Sequence, residues 1–182
     1  ETVFYAESGG QCADTGILWL GDHKIYVSDV QKSPNGQFLH HVNSDVELKE
    51  GMEVKGCFDV KKRELTRANH SSLHLLQAAL KKVLGDHVAQ AGSYNCPDYA
   101  RFDFNHFEKM SEEQLREVEN LVNEKIMANI PVTTEILPIE EAKKSGATAL
   151  FDEKYGDFVR IVTMGDFSKE FCGGTHVSNT SE

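Results

Sequence analysis

The spacing of apolar and polar positions changes once along the chain, near residue 62. Upstream lie short runs of strand character, Gly16 to Leu20, Lys24 to Val30, Phe38 to Val42 and Met52 to Val60. They are broken by the turn formers Gly21-Asp22, Ser33-Pro34-Asn35-Gly36 and Glu50-Gly51. That spacing predicts a small antiparallel barrel or curled sheet. Downstream, Leu73, Leu76, Leu80, Val83 and Leu84 recur at helical intervals, and Gly85 is placed to end the helix. Ser111 and Gln114 form a capping box ahead of Leu115, Val118, Leu121, Val122 and Ile126, which predicts a second helix. Pro138 and Gly146 bracket a third, shorter one. Strand candidates follow at Arg101 to Phe104, Thr133 to Leu137 and Phe158 to Met164. The fold class is α+β, with a β-rich part over residues 1–62 and a mixed part over 63–182, and no internal repeat.

Composition narrows the function classes. With 182 residues, 40% hydrophobic and 26% charged, the chain can bury an ordinary core as one compact unit or two small ones. No apolar run approaches the roughly 20 residues that cross a bilayer. The opening ETVFYAESGG has neither the basic nor the apolar segment of a secretory signal, so a soluble, cytosolic protein is expected. A start at Glu1 rather than Met predicts a fragment of something longer. The formal net charge of -10 argues against a large nonspecific hold on nucleic acid, though a local basic groove stays open. Lys61, Lys62, Arg63 and Arg67 form the best local cluster for phosphate contact, with a solvated charge run as the alternative.

The four cysteines, Cys12, Cys57, Cys96 and Cys172, are too scattered for a disulfide framework, and the first three read as small buried or half-buried thiols. Cys172 differs because FCGGTH sets His176 four residues after it, with two glycines and a threonine between. NHSSLH, residues 69–74, places His70 and His74 one helical turn apart on a single face. Either pair alone is a weak signal. Together they offer one thiolate and three imidazoles, a tetrahedral set suited to Zn2+. The competing reading makes Cys172 a nucleophile with His176 or a helix histidine as its base, but leaves the remaining histidines unexplained. A thiolate already committed to a metal is a poor nucleophile.

At this point the segments ETVFYAESGGQCADTG, NHSSLHLLQAAL, GDHVAQAGS, RFDFNHF, SGATALFDEKYGDFVRIV and FCGGTHV, in that order, resemble the editing domain of bacterial-type alanyl-tRNA synthetase. They are less closely similar to the free-standing AlaX proteins and to the editing domain of threonyl-tRNA synthetase. The resemblance implies that residues 1–62 are a small β-barrel-like subdomain with a Gly-rich motif, and that 63–182 are a zinc-binding α/β editing domain. It also implies hydrolysis of the ester joining serine or glycine to alanine-specific tRNA. A synthetic pocket sized for a methyl group cannot exclude the smaller glycine and rejects an added hydroxyl poorly, so a second site is needed. Other domains of a parent synthetase would be partners, using ATP and alanine outside these residues. Two rival readings are a free-standing trans-editing deacylase and a nonenzymatic zinc-stabilised tRNA-binding module.

By the same resemblance the metal ligands fall on His70, His74, Cys172 and His176, and the polar cleft residue on Gln90. Gly173, Gly174 and Thr175 bring backbone close to the ligand with amides that can hold an oxyanion, or else make a plain tight turn between ligands. Gly9, Gly10 and Gln11 fall on the Gly-rich motif, where the flexible glycine pair could admit the terminal adenosine, with a plain turn as the alternative. Arg101 and Asp103, two apart on one face of a strand, are candidates for the cleft, with a surface ion pair as the alternative. Two positions depart from the family pattern. Leu73 replaces a threonine common before the second helix histidine, and Asp152 stands where glycine is common. Because the chain supplies all four ligands, zinc that organises the cleft while a water attacks the ester carbonyl is favoured over direct activation of that water by zinc.

Overall fold

A computed structural model describes residues 1–149 and 155–182, so Asp152 lies outside the described residues. Nine strands and three helices are seen among them. The N-terminal part builds one antiparallel sheet from β1 (Gly16–Leu20), β2 (His23–Lys32), β3 (Phe38–Asn43) and β4 (Lys55–Phe58), in the order β3-β2-β1-β4. Both β3 and β4 are edges, so the sheet does not close into the expected barrel-like form. Alternation places Ile25 and Val27 of β2 inward, and a register shift between Val27 and Asp29 then brings Val30 rather than Asp29 to the core. Phe4, Ala6 and Ala13 from the N-terminal loops complete this cluster.

The Met52 to Val60 run yields only the four residues of β4, because Gly51 turns at φ 86° and Asp59 caps the next helix. Helix α1 (Val60–Leu84) starts with the Asp59 side chain accepting from the Lys62 amide and stops at Gly85. The boundary expected at residue 62 therefore falls in its first turn. α2 (Glu112–Met127) carries the predicted capping box, with both Ser111 and Gln114 reciprocally bonded. Its Val118 packs against Ala79 and Leu80 of α1. α3 (Ile139–Lys144) is the short third helix.

Two further antiparallel sheets flank α1. β5 (Gln90–Asn95) pairs with β6 (Ala100–Phe104), and β7 (Val132–Pro138), β8 (Phe158–Met164) and β9 (Ser168–Phe171) form a sheet in that order. β5 and β9 have no counterpart in the sequence expectation. What positions the site is the packing of Leu75, on α1, against Val162 and Met164 of β8, with Cys172 at the edge of the same cluster. Burying those side chains sets the histidine-bearing turn of α1 against the chain leaving β9. Among the described residues, no helix is long and apolar enough to cross a membrane.

Candidate metal centre and adjoining cleft

α1 supplies His70 and His74, and the segment after β9 supplies Cys172 and His176. The four ligating atoms lie within 4.8 Å of one another although the two segments are about a hundred residues apart. Cys172 Sγ is 3.4 Å from His70 Nε2 and 3.3 Å from His176 Nε2. Nitrogens and a sulfur about 2.0–2.3 Å from one tetrahedral zinc stand about 3.5 Å apart, so the spacings from Cys172 to His70 and His176 fit that ion.

Protonation fits as well. Burial first, then the Arg160 charge, pushes the His70 imidazole down to about 4. His74 is pushed down to about 3, by burial and then by His70 and Arg160. Burial, with His74 and His70 behind it, holds His176 well below the usual histidine range. All three rings are therefore neutral near pH 7 and have a lone pair to give.

Outer contacts decide which nitrogen gives it. His70 Nδ1 lies 2.9 Å from the Gln11 side-chain oxygen and His176 Nδ1 lies 3.0 Å from Ser71 Oγ, so both rings turn Nε2 inward. His74 Nδ1 has Glu170 Oε2 at 3.6 Å, and burial pushes the Glu170 carboxyl up to about 7. Arg160 clamps the turn by donating to the Cys172 and Gly174 carbonyls, at 3.0 and 2.6 Å. Arg67 donates to the His176 carbonyl at 2.6 Å.

Two cavities meet at this centre and share Gly9, His70, Phe171 and Cys172. The smaller, about 40 Å³, reaches Leu73, Gln77, Gln90, Ser93 and Phe102. The larger, about 280 Å³, reaches Tyr5, Phe158, Arg160 and Gly173. Gln90, the first residue of β5, thus stands in the cleft with the metal donors, its amide donating to Ser93 Oγ at 3.0 Å.

Other expected residues lie differently. Gly9 faces both cavities, but Gln11 is 1% exposed and points into the protein rather than toward a ligand. Gly10 backs onto the Ser93 carbonyl, where an added Cβ would come within 2.5 Å. Gly173 is open to the larger cavity. The Gly174 N–H donates to Cys172 Sγ at 3.4 Å and the Thr175 N–H to Gln11 at 2.8 Å, so two of the three amides considered for an oxyanion hold the turn together instead. Arg101 and Asp103 pair with each other at 3.2 Å, with side chains 63% and 48% exposed, and Phe102 between them is the β6 residue that reaches the cleft.

Two members of the expected phosphate cluster also turn inward. Arg63 pairs with buried Asp14 and covers the Phe58 ring, and Arg67 serves the metal turn. Leu73 lines the hollow where the family pattern has threonine. Gln77, buried with an unpartnered side-chain oxygen, was not anticipated. A signal was present: residues 70, 73, 74 and 77 fall on one helical face.

Comparison with known proteins agrees with this arrangement. A family model described as tRNA synthetases class II (A) matches residues 1–62, and one described as the threonyl and alanyl tRNA synthetase second additional domain matches residues 159–182, which include Cys172 and His176. The alanine–tRNA ligase of Listeria monocytogenes serotype 4b is 53% identical over 183 residues, covering 100% of this chain and 21% of that protein. The alanine–tRNA ligase of Lactobacillus helveticus is 52% identical, covering 100% of this chain and 21% of its own length. Alanine–tRNA ligase 1 of Lachnoclostridium phytofermentans is 51% identical over 99% of this chain and 21% of its own length. The chain spans about a fifth of the length of these curated relatives. At this identity along the whole chain, running through both donor segments, the chain matches one region of the alanine–tRNA ligases.

Proposed function

We propose that this chain is the editing part of an alanyl-tRNA synthetase, hydrolysing the ester of alanine-specific tRNA mischarged with serine or glycine. The observation that supports it is the meeting of two cavities of unlike size at one four-donor cluster. An aminoacyl ester has a small acyl end and a large nucleoside end. The hollow that reaches Gln90 suits the first, and the cavity beside Tyr5 and Phe158 offers aromatic faces for the second. On this reading residues 1–62 form one subdomain and 63–182 the editing body, joined at α1, and the chain works in the cytoplasm beside the synthetase's other domains.

His70, His74, Cys172 and His176 would hold Zn2+. In a site closed by four protein donors, zinc supplies fixed geometry and positive charge rather than an open coordination position. Gln90, oriented by Ser93, then receives the serine hydroxyl, and Gly9 and Gly173 let the ester approach closely. A water attacks the ester carbonyl, the tetrahedral intermediate collapses, and the tRNA 3′-terminal ribose oxygen leaves with a proton. No covalent enzyme intermediate is needed. A methyl group leaves the Gln90 amide unsatisfied, which disfavours alanine.

The test incubates the chain with alanine-specific tRNA charged with serine, glycine or alanine, with and without a zinc chelator. Release of serine but not alanine, abolished by chelation, is the expected result, with glycine, which has no hydroxyl for Gln90 to meet, released more slowly than serine. Binding without turnover would replace the enzyme by a docking module. Gln90→Ala should lower kcat/KM for serine release by about 10–100-fold, the scale of one lost buried hydrogen bond, with the zinc content unchanged. Unchanged deacylation would remove Gln90 from the site.

A further inference from the structure

We infer that Gln11 is a positioning residue for the metal centre: it holds His70 in the one tautomer and rotation that offers Nε2 to the ion, so the N-terminal segment sets the metal affinity of the body. The inference rests on the proposal that the four donors bind zinc.

The Gln11 amide makes three hydrogen bonds and has almost no exposed surface. Its oxygen accepts from the Thr175 N–H at 2.8 Å and faces His70 Nδ1 at 2.9 Å, and its nitrogen donates to Thr175 Oγ1 at 2.9 Å. The backbone N–H of Thr175 can only donate, and this fixes which end of the amide is the oxygen. A carbonyl oxygen can only accept, so the shared proton must sit on His70 Nδ1. Nε2 is then the free lone pair, and it is the atom 3.4 Å from Cys172 Sγ. Gln11 thus ties a ligand from α1 to the turn that carries the other two donors, across separations of 59 and 164 residues.

The three rings differ in where this support originates. Ser71 backs His176 and Glu170 lies beside His74, both from the same part of the chain as the donors. Only His70 draws its outer partner from the N-terminal segment. That partner is itself fixed by a two-residue turn. Gly9 and Gly10 take φ 57° and 82°, and Ser8 and Gln11 exchange backbone hydrogen bonds of 3.2 and 3.0 Å. Asn95 of β5 anchors the turn, donating to the Gly10 carbonyl at 2.8 Å and accepting from the Cys12 N–H at 3.0 Å. At Gly174 the absent Cβ leaves room for the Gln11 oxygen, which would otherwise be 2.9 Å from it. The tip of the turn, Gly9, lines both cavities, so the loop that meets the ligand and the side chain that holds the donor belong to one rigid unit.

The test measures zinc dissociation constants by competition with a chromophoric chelator, for the full chain and its Gln11→Ala and Gln11→Glu variants, beside thermal unfolding of each metal-free form. Gln11→Ala should weaken zinc about 10–100-fold, the usual effect of losing an outer partner of a histidine ligand. Gln11→Glu should restore most of it, because a carboxylate oxygen accepts the same two N–H groups. An unchanged dissociation constant with a lowered metal-free Tm would reduce Gln11 to a structural tether and overturn the inference. Failure of the wild-type chain to bind zinc would instead sink the metal reading beneath it. If Gln11→Ala does not fold, the 15N shifts of His70 in the zinc-loaded wild-type chain decide the matter. A protonated Nδ1 with a ligated Nε2 supports the inference, and the reverse pattern overturns it.

Discussion

Gly174→Ala should dismantle the metal centre while leaving most of the fold in place. A Cβ at this position would sit 2.1 Å from His70 Cε1 and 2.5 Å from His70 Nδ1, closer than a Cβ comes to any atom it is not bonded to. The added carbon cannot move, because Arg160 holds the Gly174 carbonyl and Cys172 Sγ receives its N–H. Relief must come from rotating His70 out of place, which withdraws a ligand and breaks its hydrogen bond to Gln11. The loss of zinc affinity should therefore exceed the roughly 10–100-fold that removal of an outer partner causes. Chelator competition measures it directly. Gly173→Ala is the control, since nothing lies within 4 Å of a Cβ there, and its zinc affinity should stay close to wild type.

Asp14→Ala should have the largest effect on stability, about 3–5 kcal/mol, and act at a distance from the metal. Asp14 is 4% exposed and receives Arg63 through Nε at 2.9 and 3.0 Å, a further contact from the second guanidinium nitrogen, and the Tyr5 N–H at 2.6 Å. Arg63 lies in the first turns of α1, so this pair fastens the N-terminal segment to the helix that bears His70 and His74. Alanine would leave a guanidinium over the Phe58 ring with no counter-charge in a largely buried place. Urea unfolding should show the midpoint falling with little change in slope. Asp14→Ala combined with Arg63→Met should recover part of the loss, because the uncompensated charge goes with the arginine. A double variant as unstable as the sum of the two singles would argue against coupling between them.

Much of the site was legible because its signals are local. Two histidines one turn apart, a cysteine and histidine joined by glycines, and a capping box each depend on a few adjacent residues, and the structure brings the four donors together. What was not legible depends on distant partners. The role of Gln11 is set by residues 59 and 164 positions away, and an amide in a glycine turn reads equally well as a ligand contact. Arg63 and Arg67 read as a basic cluster, since nothing in their spacing reveals the buried Asp14 or the His176 carbonyl that each meets.

Of the two readings open for Arg101 and Asp103, cleft residues or a surface ion pair, the structure shows the ion pair, and the reason is simple. Period two puts them on one face of β6, but that rule does not say which face is turned to the cleft, and Phe102 has it. β9, the four residues Ser168–Phe171, lacks any apolar alternation and exists because β8 offers it a partner edge. Closure of the N-terminal sheet depended on β3 meeting β4, and short strands with turn residues do not encode that pairing.

The most direct measurement of the central claim is the metal content of the purified chain, by mass spectrometry of the metal with protein quantified in parallel, for wild type, Cys172→Ser and His74→Ala. Close to one zinc per wild-type chain, and little in either variant although both fold, is the predicted result. A folded wild-type chain that takes up no zinc from a zinc-containing buffer, or one whose zinc survives both substitutions, would contradict the account.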